Sequence, residues 1–187
     1  RTPIEEILPV HFEEINRPFV DEAFQAVLNQ EFSRHPILRL EKELDRNQEV
    51  WRSLPPLQGI NKGLIPDKNA HVLAQHAKGS AAPLLVVGGF GKGRTALLGT
   101  DSMWNWNFRN VGSGGSGRYF QRFWNNVIDW LIAEPETRRL QLESDKERYQ
   151  EGAQVLIKFK LLKKNYQPAT DTMAKLTLQL LKKEPRP

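Results

Sequence analysis

Cysteine is missing altogether from the 187 residues, and long apolar runs are scarce. The first absence removes thiol nucleophiles, disulfide frameworks and thiolate metal sites. The second excludes a membrane-spanning helix within the chain, because no window approaches the ~18 consecutive apolar residues that a bilayer requires. The beginning, Arg1-Thr2-Pro3-Ile4, has neither an initiator Met nor the apolar core of a signal peptide, and reads as an excised or processed piece. What is present suffices for a folded domain: 39% hydrophobic residues, nine Phe and five Trp can bury a core without covalent staples.

The net charge of +5 is unevenly placed, with the whole basic surplus after residue 138. Lys158, Lys160 and Lys164 belong to it, and such a cluster can attract nucleic acid or anionic lipid. In Val155-Leu156-Ile157-Lys158-Phe159-Lys160-Leu161, however, the odd positions are apolar and the lysines alternate with them. That pattern predicts a strand with one buried and one wet face, so nucleic acid is not the expected partner.

Along the chain, Ile7 to Phe12 reads as a short extended segment. Phe19 to Leu28 carries apolar residues at helical spacing, although Val20-Asp21-Glu22 equally suits a loop. Residues 30–70, charge-rich and then Pro-rich, read as mostly irregular. Ala70 to His76 and Pro83 to Gly88 read as strands, the second a continuous apolar run suited to a sheet covered on both faces. Gly89-Phe90-Gly91-Lys92-Gly93 predicts a hairpin turn into a third strand, Arg94 to Gly99. This glycine cluster satisfies neither the phosphate-loop spacing nor the dinucleotide fingerprint. Gly112 to Gly117 reads as a flexible loop. Phe120, Phe123, Trp124, Val127, Ile128 and Leu131 then form one apolar stripe on a helix. Beyond Glu134-Pro135-Glu136-Thr137, three strands are expected: Arg139 to Glu143, Gln154 to Leu162, and Ala174 to Leu181.

Thr100-Asp101-Ser102-Met103-Trp104-Asn105-Trp106 is the segment with most chemical potential, because it directly follows a buried strand, where sites in open α/β sheets gather. Asp101 could serve as a base or orienting carboxylate and Ser102 as a nucleophile or donor. Equally, both could cap the turn while Trp104 and Trp106 pack beneath it. A serine nucleophile needs a positioned base, and no His is near in sequence. The four histidines, His11, His35, His71 and His76, lack metal-ligand spacing, and His71 and His76 lie five apart on an expected strand. No metal and no cofactor is expected.

Several stretches together carry a family resemblance: Thr2 to Val10, His35-Pro36-Ile37-Leu38-Arg39-Leu40, Trp51-Arg52-Ser53-Leu54-Pro55-Pro56-Leu57, Gly91-Lys92-Gly93-Arg94, Thr100 to Trp106, and Arg122-Phe123-Trp124. They resemble the glutamine-amidotransferase-like domain of large bacterial membrane proteins, which often carry a von Willebrand factor type A domain as well. The resemblance implies an α/β fold: the second half of a flavodoxin-like, class I amidotransferase-like sheet, over residues 1–136. Residues 137–187 would be an all-β segment, since Tyr149-Gln150-Glu151-Gly152-Ala153-Gln154-Val155 resembles the opening of bacterial immunoglobulin-like modules. In such amidotransferases a Cys nucleophile lies in the first half, and a His-x-Glu pair follows the final hairpin strand. Here that place reads Thr100-Asp101-Ser102-Met103.

The expectation is therefore a non-catalytic interaction or scaffold module of a membrane-anchored envelope protein, on its periplasmic or extracytoplasmic side. It would bind a protein or peptide partner through Asp101, Ser102, Trp104 and Trp106. Two alternatives stand beside it: a hydrolase or transferase using Asp101 and Ser102 in the cleft, and an electrostatic binder acting through the tail lysines.

Overall fold

The computed structural model of the chain describes residues 2–16, 18–77, 82–112, 117–133, 137–150, 152–170, 173, 175 and 177. A short helix α1 (Pro3–Ile7), started by a Thr2/Glu5 capping box, leads into strand β1 (Val10–Phe12). Phe19 to Leu28 is extended, not helical: it forms β2 (Phe19–Phe24) and β3 (Ala26–Leu28). Its aromatic and β-branched residues find partners on other strands, and tertiary pairing overrides the weak helical spacing.

Residues 30–70 are far more ordered than their composition suggests. They hold two 3₁₀ turns (Gln30–Phe32 and Pro36–Leu38), helix α2 (Leu44–Ser53) and strands β4 (Leu57–Asn61) and β5 (Leu64–Pro66). The helix escapes a hydropathy reading because one of its three buried residues, Asn47, is polar, beside Val50 and Trp51.

Strands β6 (His71–His76), β7 (Pro83–Phe90) and β8 (Gly93–Leu98) then build the principal sheet, in the order β3-β6-β7-β8. The β7–β8 turn is the hairpin expected from the glycines, with Gly91 at φ +57°. Two smaller pairings, β2 with β4 and β1 with β5, complete this part. Helix and sheet together agree with an α/β amidotransferase-like fold, yet among the described residues every strand pairing is antiparallel. The parallel part of a flavodoxin-like sheet is not represented there. The apolar run of β7 is buried on both sides as expected. Leu85 and Val87 enter the main core, while Val86 joins Val10 and Leu64 in a second cluster.

After β8, helix α3 (Asn105–Gly112) and helix α4 (Arg118–Leu131) cover the sheet. Of the expected loop at Gly112 to Gly117, Gly112 ends α3, Gly117 caps α4, and 113–116 lie outside the described residues. A Cβ at Gly117 would meet the end of the Asn107 side chain, which would have to shift to admit it. The buried line of α4 is Phe123, Val127 and Trp130, so Ile128 is turned outward at 52% exposure. The i, i+4, i+7 spacing puts Trp130 on the same buried line as Phe123 and Val127.

The core is organised around one irregular segment. Ile37, Leu38 and Leu40 are all fully buried, although past the Pro36–Leu38 turn the chain is neither helix nor strand until α2 begins. Buried backbone groups must find partners, and here side chains supply them. Asn47 Oδ1 accepts from the amides of Leu40 (2.8 Å) and Glu41 (2.9 Å), while its Nδ2 donates to Leu38 O (3.0 Å). Trp51 Nε1 donates to the same carbonyl at 2.9 Å. From the other side, α4 contributes Arg122 to Leu40 O (3.1 Å) and Asn126 to Arg39 O (2.8 Å).

The tail adds β9 (Leu140–Ser144) paired with β10 (Ile157–Leu161). An immunoglobulin-like sandwich is not shown: the described tail holds this hairpin and an isolated bridge between Leu162 and Pro168. Of the third expected strand only Lys175 and Thr177 are described, neither in a strand, and the rest lies outside the described residues, as do Glu134 to Glu136 at the expected boundary. The apolar face of β10 is not buried as the alternation predicted, since Phe159 is 61% exposed opposite Leu142 at 56%. What ties the tail down is Tyr166. Its hydroxyl accepts from Trp130 Nε1 and donates to Thr137 O, both at 3.0 Å, and its ring meets His35 edge-on at 4.8 Å.

Two outcomes follow from this core. Asn47→Ala removes the acceptor of the Glu41 amide, leaves the Leu40 amide only its 3.1 Å contact to Leu38 O, and is expected to lower unfolding free energy by about 1–3 kcal/mol, read from urea denaturation. Asn47→Asp, which keeps the acceptor, recovers part of that loss. His35 is buried against Trp130 and Tyr166, and its pKa is pushed down to about 3, first by burial and then by His71 and Arg94. The unfolded chain therefore binds the extra proton between about pH 3 and 6.5. His35 contributes its stability in full above pH 6.5 and loses it as the pH falls toward 3, with a slope approaching about 1.4 kcal/mol per pH unit. His35→Asn, which retains an acceptor for the Ile37 amide, should flatten this part of the pH–stability curve in calorimetry.

Candidate functional site

The corner after β8 is made by three hydroxyl and backbone groups that lock onto β4. Thr100 Oγ1 donates to Gly59 O at 2.6 Å, which uses its only proton. The contact between Thr100 Oγ1 and Ser102 Oγ, 2.9 Å, must then be donated by Ser102. Ser102 Oγ in turn accepts from the amide of Gln58 at 2.8 Å, and the Ser102 amide lies 3.3 Å from Thr100 Oγ1. Ser102 is 3% exposed. Its proton and an acceptor lone pair are committed to the frame, and neither of these partners is a histidine.

The other three residues singled out from sequence part company. Asp101 is exposed and stands at the start of the Ser102–Trp104 3₁₀ turn, but its side chain makes no capping bond. Trp106 is 1% exposed, meets Trp51 and Phe123 edge-on, and donates Nε1 to Pro55 O at 3.0 Å. Trp104, expected to pack underneath like Trp106, is 51% exposed and faces outward with Phe108, itself 67% exposed, at 6.1 Å. Two positions apart on a helical path, the two rings point in different directions, so only one can enter the core. Sequence reasoning missed Thr100, Gln58 and Phe108: the first two act through a contact with β4 that no local pattern announces, and Phe108 belongs to no periodic stripe.

The histidines are dispersed. His11 lies 3.2 Å from Asp67, and His76 is buried against Phe24 with Glu22 at 3.1 Å. His71 is half-buried against Phe32, and its pKa is lowered by burial and by Lys164 and Arg139, against an opposing pull from Glu31.

Comparison with known proteins gives the family. The model of the family described as "Putative glutamine amidotransferase" matches residues 1–133. No curated protein matches the sequence. Among solved structures, the cytoplasmic protein STM3548 from Salmonella typhimurium is similar at 20% identity and a TM-score of 0.47. The cytoplasmic protein STM1381 from Salmonella typhimurium LT2 is similar at 26% and 0.44. Each comparison covers 70% of this chain and 46% of the other, so the chain spans less than half the length of the structures it matches. The expected envelope location is not borne out: both similar structures are named as cytoplasmic proteins, and no helix among the described residues is long and apolar enough to cross a membrane. Matched over residues 1–133, the chain belongs to the glutamine-amidotransferase-like family.

Proposed function

We propose that this chain is a non-catalytic interaction module, a frame of amidotransferase type that engages a protein or peptide partner through its exposed Asp101–Trp104–Phe108 ledge. The observation that carries the reading is the commitment of the Ser102 hydroxyl to Thr100 and Gln58. A nucleophile must hand its proton to a base as it attacks, and this proton already bridges two side chains of the scaffold. Acting as a hydrolase through Asp101 and Ser102 would require breaking the corner that holds β4 to the end of β8. Without any cysteine, these residues also lack the thiolate on which amidotransferase chemistry rests.

Ser102 and Trp106 then support the ledge from beneath, while Asp101 and Trp104 are the members of the original set placed to touch a partner. An aromatic pair with a carboxylate beside it suits a partner surface that is apolar with a basic or amide-rich edge. The tail fits the same reading as the opening of a further β module beyond residue 136. The apolar, exposed face formed by Leu142 and Phe159 supports that part, an immunoglobulin-like sandwich being its most specific form.

The test combines chemistry and stability. Purified protein is expected to release no ammonia from glutamine and to cleave no activated ester above background; turnover that disappears in Ser102→Ala or Asp101→Asn would overturn the proposal. Ser102→Ala should cost about 1–3 kcal/mol in urea denaturation, because the Gln58 amide loses its acceptor. Trp106→Ala should cost about 3–5 kcal/mol as a core truncation, and Trp104→Ala less than about 1 kcal/mol while weakening association with the partner. Equal destabilisation by the two tryptophan variants would contradict the division of labour between them.

A further inference from the structure

A cavity of about 270 Å³ opens where the tail meets the principal sheet, and it shares no residue with the Asp101–Trp104 corner. Its aromatic walls include Trp130 and Tyr166, the pair that ties tail to domain. Its polar lining is cationic: Arg94 from β8, Arg139 from the start of the tail, and Lys164 from the turn before Tyr166. His35, His71 and Asn69 are its other polar residues, and among the described residues no carboxylate lines it. Three segments far apart in sequence thus bring positive charge to one concavity, at a position where like charges repel unless something offsets them.

The imidazoles report the same field. His35 Nδ1 accepts from the Ile37 amide at 3.3 Å, so the neutral ring carries its proton on Nε2, as a donor. Both rings are held below their ordinary pKa, and after burial the neighbours responsible include Arg94 for His35 and Lys164 and Arg139 for His71. Arg94 is fixed in place by Nη1 bonds to Trp130 O (2.6 Å) and Thr137 Oγ1 (3.2 Å), and lies 5.1 Å from the Trp130 ring centre. A guanidinium oriented this way is pre-organised for an anion rather than free to turn to solvent. An adjoining concavity shares His71 and Lys164 but carries Glu31, which places the anion in the first cavity and not the second.

We propose that this cavity binds a small molecule through a compact oxyanion group, a phosphate or carboxylate, held by Arg94, Arg139 and Lys164 with the His35 imidazole as a neutral donor. The volume lies just below the usual range for small-molecule sites, which suits a compact ligand. The site also gives the basic surplus of the tail a local purpose. Lys164 and Arg139 line the cavity, whereas Lys158 and Lys160 are exposed on β10 and are not among its lining residues.

The experiment is a titration of the full chain with inorganic phosphate and, separately, with succinate, followed by the ring signals of His35 and His71 in NMR and by calorimetry at low ionic strength. Saturable binding with a Kd of about 1 mM or tighter is expected for at least one probe, and the preferred probe identifies the oxyanion. On saturation the His71 pKa should move upward, because a bound anion offsets Lys164 and Arg139. Arg139→Gln and Lys164→Gln, both surface changes that leave the Arg94 anchor intact, should each weaken binding about five- to tenfold, and the pair should abolish it. Lys158→Gln with Lys160→Gln serves as the control and should leave it unchanged. The proposal is overturned if neither probe gives saturable shifts, or if the control pair weakens binding as much as the cavity pair. A double variant that stays folded by circular dichroism and binds as the parent does would overturn it equally.

Discussion

The structure depends on the satisfaction of the backbone between Ile37 and Glu41. Three aliphatic side chains there are fully buried, and they drag an irregular stretch of main chain into the core with them. Peptide groups in that position cannot be left without partners, and the short 3₁₀ turn at Pro36–Leu38 pairs only some of them. Asn47 and Trp51 from one helix and Arg122 and Asn126 from another meet the need. Both helices are thereby fixed relative to each other through a segment that is neither, and the sheet beneath inherits a defined cover.

The same economy of partners runs through the corner after β8. A hydroxyl at such a place is the conventional candidate for chemistry, and its use as a hinge pin between Thr100 and Gln58 changes what the surrounding groups can do. Because the serine is spent on the frame, the surface beside it is free to be apolar, and Trp104 and Phe108 occupy it. Fold and site are in this sense one arrangement: the bonds that hold β4 to the end of β8 also engage the Ser102 hydroxyl.

Tail and domain meet through aromatic and cationic groups. Trp130, Tyr166 and His35 form a buried contact, and Arg94, Arg139 and Lys164 surround the opening beside it. The join is therefore polar at its rim and apolar at its base, an arrangement that anchors the tail and leaves a charged concavity at the seam. Tyr166 holds this position with a left-handed backbone, φ +63°, a conformation that its two hydroxyl hydrogen bonds and ring contacts keep in place.

By itself the sequence determined the elements whose information is local. The apolar run of β7, the glycine turn at Gly91 and the stripe of α4 are periodic or conformational signals, and the family was legible in short stretches such as His35 to Leu40 and Trp51 to Leu57. Tertiary structure decided the rest. The strands β2 and β3 exist because β4 and β6 pair with them, α2 was hidden by an inward polar Asn47, and Ile128 yielded its place to Trp130 through a small rotation of the helix. The fates of Ser102 and Trp106 depend on contacts with residues more than forty positions away. Side-chain direction and hydrogen-bond partnership across such separations are properties of packing, which no local pattern of residue types encodes.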